Sequence, residues 1–137
     1  DIMKLGENGF SLIEILLAIS ILGVVAAAAL PKAAHVLAVS RTQRVVSDLQ
    51  TLDAAVIMYE TEHGEQPKSI DDLSDYVQNV KKVKPPQGSK VIINSGEIEV
   101  KKGEYLLKKG DDGLRATLDD HTADEFMPGG ASTGEKK

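Results

Sequence analysis

The sequence predicts an α+β fold in which one long N-terminal α-helix packs on a small antiparallel β-meander. Three features indicate this fold: an apolar run over residues 12–30, an amphipathic stripe that follows it, and short alternating segments with turn residues in the C-terminal half. A chain of 137 residues suggests one small core. We predict a short polar segment at 1–9, a helix at 10–63, a globular domain at 64–118 and a flexible polar tail at 119–137.

The apolar run predicts a transmembrane helix over residues 12–30. This stretch contains one charged residue, Glu14, and has about the length that crosses a bilayer. A carboxylate costs about 2.5 to 3.5 kcal/mol at the centre of a membrane. We therefore expect a partner that neutralises Glu14.

Two residues predict a bend in this helix, Gly23 and Pro31. Proline lacks an N–H, and its ring clashes with the carbonyl of the residue four positions earlier, here Ala27. We expect a kink or local unwinding at this turn, and a continuous, gently bent helix in the monomer.

The second half of the helix is predicted to be amphipathic and to end before Gly64. Its apolar residues recur at intervals of three and four, which places them on one face that needs a covering sheet. These residues are Val45, Leu49, Leu52, Val56 and Tyr59.

The remaining segments predict a short helix and a sheet. Ser69 is an expected N-cap for a helix that ends near Val80, with Leu73, Tyr76, Val77 and Val80 facing the core. Strands are predicted at residues 90–94, 97–101, 104–108 and 114–118. The residues expected to face the helix are Ile92, Ile98, Val100, Leu106, Leu114, Ala116 and Leu118.

Composition disfavours several classes of function. The net charge of -5 gives no support for a nucleic-acid partner, and the absence of cysteine excludes disulfides, thiolate metal sites and cysteine nucleophiles. No GxSxG, HExxH or phosphate-binding glycine loop occurs, and the three histidines lie in separate elements. We predict that the protein is not an enzyme and has no resident cofactor.

One cluster of acids predicts a calcium site as an alternative to simple solvated turns. Asp111, Asp112, Asp119 and Asp120 lie on either side of the last strand. Carboxylate oxygens in loops suit Ca²⁺, although the spacing departs from that of an EF-hand. Solvated acidic turns are the interpretation we favour.

One short segment, Gly9-Phe10-Ser11-Leu12-Ile13-Glu14, leads directly into the apolar run, and Pro31 follows that run. This arrangement resembles the class III signal of type IV pilins and type II secretion pseudopilins. This resemblance implies that residues 1–9 are a leader, cleaved after Gly9 by a prepilin peptidase, and that Phe10 is N-methylated. It also implies that the helices pack in the core of a filament. The new amine of Phe10 on a neighbouring subunit would then supply the cation that Glu14 lacks.

The resulting functional prediction is a structural subunit that forms homo-oligomeric helical filaments. It would be held as a single-pass precursor in the cytoplasmic membrane, and an inner-membrane assembly platform would build it into a periplasmic or extracellular filament. The alternative is a monomeric signal-anchored membrane protein with a small extracytoplasmic binding domain. The sequence leaves open whether the filament is a pilus, a secretion pseudopilus or a competence fibre.

Overall fold

The computed structural model describes residues 9–129, so leader residues 1–8 and tail residues 130–137 of the predicted organisation lie outside it. One α-helix, α1 (Leu12–His63), precedes four strands, β1 (Lys90–Ile93), β2 (Gly96–Glu99), β3 (Leu106–Gly110) and β4 (Gly113–Thr117). Short 3-10 turns lie at Ile70–Leu73, Val80–Lys82 and Ala123–Glu125. The predicted α+β class is confirmed.

The chain divides into two units, residues 1–36 and 37–137, and α1 contributes residues to both. In the first unit every helical residue is exposed. The helix continues through Pro31, as predicted for the monomer. It begins at Leu12 and not at Phe10, because Ser11 is the residue that caps it.

The second unit is built on the predicted stripe of α1. Val45, Leu49 and Leu52 are fully buried, and Val56 is 2% exposed. The helix ends as predicted: Gly64 has a φ of +71°, and its N–H donates to the carbonyl of Glu60 at 2.9 Å. Glycine adopts a left-handed φ without steric strain, so Gly64 can end the helix at little cost in free energy.

The four strands form two separate antiparallel hairpins, β1–β2 and β3–β4, so the prediction of a single meander is wrong. The backbone between the hairpins is hydrogen-bonded elsewhere. The N–H of Val100 donates to the Ser89 carbonyl, and the N–H groups of Lys101 and Lys102 donate to the side chain of Asp119. These groups are therefore not available for a ladder that would join β2 to β3.

Most residues predicted to face the core do so. Ile92, Val100, Ala116 and Leu118 are at most 3% exposed, and Ile98 and Leu114 are partly buried against the same core. Leu106 is an error, since it is 44% exposed. Its neighbours Tyr105 and Leu107 contact the core instead, and side chains that follow one another in an extended chain point to opposite sides.

The predicted short helix from Ser69 to Val80 is two 3-10 turns and not one helix. The start is as predicted, because the carboxylate of Asp72 accepts the N–H groups of Lys68 and Ser69 at 2.9 and 3.2 Å. Asn79 has a φ of 53°, which an α-helix does not allow, and it interrupts the segment.

The prediction of a flexible tail is wrong for residues 119–129. Phe126 is 4% exposed and forms an antiparallel bridge with Ile93. The N–H of Asn94 donates to the carbonyl of Glu125, and the N–H of Met127 donates to the carbonyl of Ile92, both at 2.9 Å. A buried aromatic and two backbone hydrogen bonds thus hold this segment against β1.

Candidate functional site

The segment that the sequence singles out lies at the beginning of α1. Gly9 and Phe10 belong to no regular element, and the Phe10 side chain is 82% exposed. Exposed segments outside helices and strands are the preferred sites of proteolytic cleavage, and the bond between Gly9 and Phe10 lies in such a segment.

Ser11 and Glu14 form a capping box at the first turn of the helix. The N–H of Ser11 donates to Glu14 Oε2 at 3.2 Å, and the N–H of Glu14 donates to Ser11 Oγ at 3.3 Å. Both N–H groups would otherwise lack a partner, because the first turn of a helix has no preceding carbonyl. The role of Ser11 was missed in the sequence analysis, although a serine followed three residues later by a glutamate is the signature of this motif.

The capping box orients the Glu14 carboxylate without neutralising it. Its hydrogen-bond partner in the first turn is a neutral amide, and in the described residues 9–129 no cationic side chain forms an ion pair with it. The helix macrodipole favours a negative charge here by about 0.3 to 1 kcal/mol, which is less than the cost of burying a carboxylate in lipid. A cationic partner for Glu14 from another subunit stays a prediction.

The apolar helix that follows has nothing covering it within its own unit. Its most apolar 18-residue window has a mean hydropathy of 2.5, and none of that window is buried. Large side chains such as Leu12, Ile13 and Leu22 are 67 to 76% exposed. A helix that is apolar on every side is stable when lipid or other apolar helices surround it. This helix is long and apolar enough to cross a membrane.

Gly23 lies inside the apolar part of α1, and Pro31 directly follows it within the same helix. A Cβ added to Gly23 would meet no heavy atom within 4 Å. Pro31 cannot donate a hydrogen bond to the carbonyl of Ala27, four residues earlier. Local unwinding of this stretch in an assembly stays a prediction.

Two of the four aspartates predicted to bind calcium, Asp119 and Asp120, interact with other groups of the protein. Asp119 accepts the N–H groups of Lys101 and Lys102 at 2.7 and 2.9 Å. The carboxylate of Asp120 lies 3.8 Å from the ammonium of Lys102 and 3.7 Å from that of Lys108. Positive partners in these positions compete with a cation.

The other two predicted ligands lie in the turn between β3 and β4. Asp111 and Asp112 are exposed, and Asp112 Oδ2 lies 3.8 Å from Arg115 Nη1. Among residues 9–129, no three carboxylates or histidines are arranged so that they could hold a metal ion. A calcium site at these aspartates stays a prediction, beside the alternative of solvated acidic turns.

Comparison with known proteins identifies the N-terminal segment. The family model of the prokaryotic N-terminal methylation motif matches residues 4–30, which include the capping box and end at the last residue of the apolar run. Searches of curated proteins and of solved structures gave no match. The motif covers about a fifth of the chain, and it marks pilin-like subunits, which are structural proteins and not enzymes. Residues 4–30 of this chain match the motif that the sequence analysis compared with the class III signal of type IV pilins and pseudopilins.

Proposed function

We propose that the protein is a structural subunit, a pilin or pseudopilin, that polymerises through its N-terminal helix into a type IV pilus-like filament. The observation that carries the proposal is the methylation motif on a helix whose apolar surface is exposed on every side. The precursor is anchored in the cytoplasmic membrane by this helix. Removal of residues 1–9 by a prepilin peptidase and N-methylation of Phe10 precede assembly.

Assembly exchanges one apolar environment for another. In the membrane, lipid surrounds residues 12–30, whereas in the filament the same side chains pack against the helices of other subunits. Lipid tails are as apolar as leucine, so this exchange has a small hydrophobic driving force. Specificity must come from polar groups, and the pairing of Glu14 with the Phe10 amine of a neighbour supplies it.

An inner-membrane assembly platform extracts the processed subunit and adds it to the base of a periplasmic or extracellular filament. The second unit is then displayed on the outside of the filament, because its core is already covered by its own residues. The helix of the first unit forms the filament core.

Mass spectrometry of the N-terminus tests the first step. The protein is expressed in a bacterium that makes type IV pili and is recovered from membranes and from sheared surface material. We expect a chain that begins at Phe10 and carries one added methyl group. A matched Gly9→Val variant, which alters the cleavage site and leaves the helix intact, should keep its leader and stay in the membrane.

Electron microscopy of the sheared fraction, labelled for this chain, tests the second step. Filaments that contain the chain support the proposal. A chain that keeps residues 1–9 and is recovered as a monomer would instead indicate the alternative, a signal-anchored protein with a small binding domain.

A further inference from the structure

A groove of about 360 Å³ lies in the second unit where α1 faces the start of β4. On one side it is lined by Asp53, Val56, Ile57 and Glu60, and on the other by Asp112, Gly113, Leu114 and Arg115. We name this feature the acidic groove. Its apolar part includes Ile57, which at 64% exposure is the most exposed large apolar side chain among residues 37–129.

The acidic groove carries negative charge that its own residues do not balance. Arg115 is already shared by three carboxylates: its Nε lies 3.0 Å from Asp53, and its Nη1 lies 3.4 Å from Asp124 and 3.8 Å from Asp112. The Glu60 oxygen Oε1 is buried and has no hydrogen-bond partner among the described residues. A buried carboxylate oxygen without a partner is unfavourable, and a cation brought beside it removes that penalty.

A second surface of the same unit has the opposite charge. Arg44 on α1 donates from Nη2 to the carbonyl of Lys84 at 3.3 Å, which holds the loop after the Val80–Lys82 turn beside the helix. Lys81 and Lys82 in that turn are exposed and form no ion pair within the described part of the chain. Arg44 Nε lies 4.0 Å from Asp48 Oδ2, and Lys84 Nζ lies 3.1 Å from Glu104 Oε1. Among the described residues, the unpaired charge of this surface therefore comes from Lys81 and Lys82. We name Arg44, Lys81, Lys82 and Lys84 the basic cluster.

The two surfaces are separated along and around α1. From Arg44 to Glu60 the helix rises by about 24 Å and turns by about 160°. The two residues therefore flank the buried stripe of Val45, Leu49 and Leu52 on opposite sides. A single copy cannot place its basic cluster in its own acidic groove without breaking that packing.

We propose that the acidic groove receives the basic cluster of a second copy of this chain. The ammonium groups of Lys81 and Lys82 lie against Glu60, and their aliphatic stems cover Ile57. Two different surfaces meet in such a contact, so it is heterologous, and repetition of a heterologous contact that does not close produces an open filament. This inference rests on the proposed function and adds to it a specific contact between the outer units of neighbouring subunits.

Charge exchange in the full-length chain tests the contact. We expect Glu60→Lys to lower the amount of chain recovered in filaments by about tenfold, because like charges then face each other. The double variant K81E/K82E should do the same, and the triple variant E60K/K81E/K82E should restore filaments. The matched control is Glu65→Lys, an exposed acid just after α1 that does not line the groove. Circular dichroism in detergent checks that each variant is folded.

Disulfide cross-linking gives an independent readout, since the chain has no cysteine of its own. Two copies with different tags are co-expressed, one carrying Glu60→Cys and the other Lys82→Cys. We expect a disulfide-linked heterodimer in the filament fraction, and a much weaker one when Glu65→Cys replaces Glu60→Cys.

The outcomes separate this inference from the proposed function. Filaments that form normally with Glu60→Lys and give no cross-link overturn the contact and leave the proposed function standing. An unaltered chain that never enters filaments overturns both. Loss of filaments in Glu60→Lys without rescue by the triple variant, and without a cross-link, also overturns the contact.

Discussion

Glu14 contributes both a hydrogen-bond acceptor and a negative charge to the N-terminus of α1, and different substitutions at this position separate the two contributions. As an acceptor it closes the capping box with Ser11. A glutamine at the same position also closes a capping box, because the motif uses either side chain. A glutamine cannot pair with the Phe10 amine of a neighbouring subunit as an ion. The cap and the ion pair are therefore distinguishable at one residue.

We predict that Glu14→Gln and Glu14→Ala are both inserted into the membrane, are both cleaved after Gly9, and both fail to assemble. Glu14→Ala should in addition fray the first turn, since the loss of a cap costs about 1 kcal/mol. Filament yield measures the charge effect, and amide exchange at residues 11–15 measures the cap. Normal filaments from Glu14→Gln would show that the charge is dispensable.

Tyr105 links the segment before β3 to α1. Its side chain is 3% exposed, and its hydroxyl donates to Asp48 Oδ2 at 2.7 Å. Burial and the hydrogen bond to Asp48 both favour the neutral phenol, so they raise the pKa of Tyr105 well above its ordinary value of 10.0. Because the pKa of Tyr105 is higher in the folded than in the unfolded state, the buried neutral phenol contributes to the stability of the folded protein. This stabilisation is fully present below pH 10 and is lost as the pH rises through the folded-state pKa.

We predict that the free energy of unfolding falls above about pH 10, with Tyr105 contributing a slope of about 1.4 kcal/mol per pH unit. Tyr105→Phe should be less stable at pH 8 and should show a shallower alkaline loss. Urea unfolding of the full chain in detergent at several pH values measures both. Tyr76→Phe is the comparison: the hydrogen bond to Glu62 raises the pKa of Tyr76 to about 12, so any alkaline loss from Tyr76 should end near pH 12, whereas that from Tyr105 continues above it. An unchanged slope in Tyr105→Phe would contradict the assignment.

Individual residues could be singled out from the sequence where the features that distinguish them lie close together in the chain. Glu14 stood out as the one charge in an apolar run, and the motif around it is contiguous. The partners of Asp119 could not be read in the same way, because Lys101 and Lys102 are brought to it by tertiary structure. Four nearby acids suggested calcium, and the N–H groups that donate to Asp119 and the lysines beside Asp120 could not be predicted from the sequence.

Thr42 on α1 is hydrogen-bonded to strand β1 of the first hairpin. Its Oγ1 donates to the carbonyl of Ala38 at 2.7 Å and accepts the N–H of Ile92 at 2.8 Å, and the residue is fully buried. Ile92 is 3% exposed, so solvent cannot readily replace the threonine hydroxyl as the acceptor of its N–H. Thr51 makes the same bond to the carbonyl four residues earlier, but it is exposed and bonds no strand.

We predict that Thr42→Val destabilises the folded protein by about 1 to 3 kcal/mol, because valine has a similar shape and leaves the N–H of Ile92 unsatisfied. Thr51→Val, which removes a matching hydroxyl on the exposed side of the same helix, should change stability by less than about 0.5 kcal/mol. Chemical unfolding of both variants gives the comparison. Equal losses of stability in the two variants would mean that the lower helix propensity of valine, and not the lost hydrogen bond to Ile92, is responsible.

Among the secondary-structure elements, the spacing of the apolar residues correctly predicted which face of α1 is buried. The stripe from Val45 to Val56 follows from spacing alone, and it is buried. The division into two hairpins does not follow from spacing, because it depends on which acceptors the backbone at residues 100–102 finds. The order in residues 119–129 likewise depends on Phe126 reaching the core, which the polar composition of that segment conceals.

At the scale of the whole chain, the two units have opposite surface character. Residues 12–30 expose apolar side chains on all sides and carry one charge. In residues 37–129 the apolar side chains form a core, and the surface carries most of the charge. The core cluster begins at Val45 and ends at Phe126, so none of its members comes from the first unit. We therefore expect the second unit to fold without the first.

We predict that a fragment of residues 37–137 is soluble, folded and monomeric without detergent, whereas the full-length chain requires detergent or lipid. The fragment keeps Ala38, whose carbonyl accepts from Thr42, together with the entire core cluster. Circular dichroism and a cooperative thermal transition measure its folding, and sedimentation measures its mass. The same fragment should stay monomeric at concentrations at which the full chain forms filaments, because the contact between outer units needs the helices to align neighbouring subunits. An unfolded or aggregated fragment would mean that the apolar helix is needed for folding as well as for assembly.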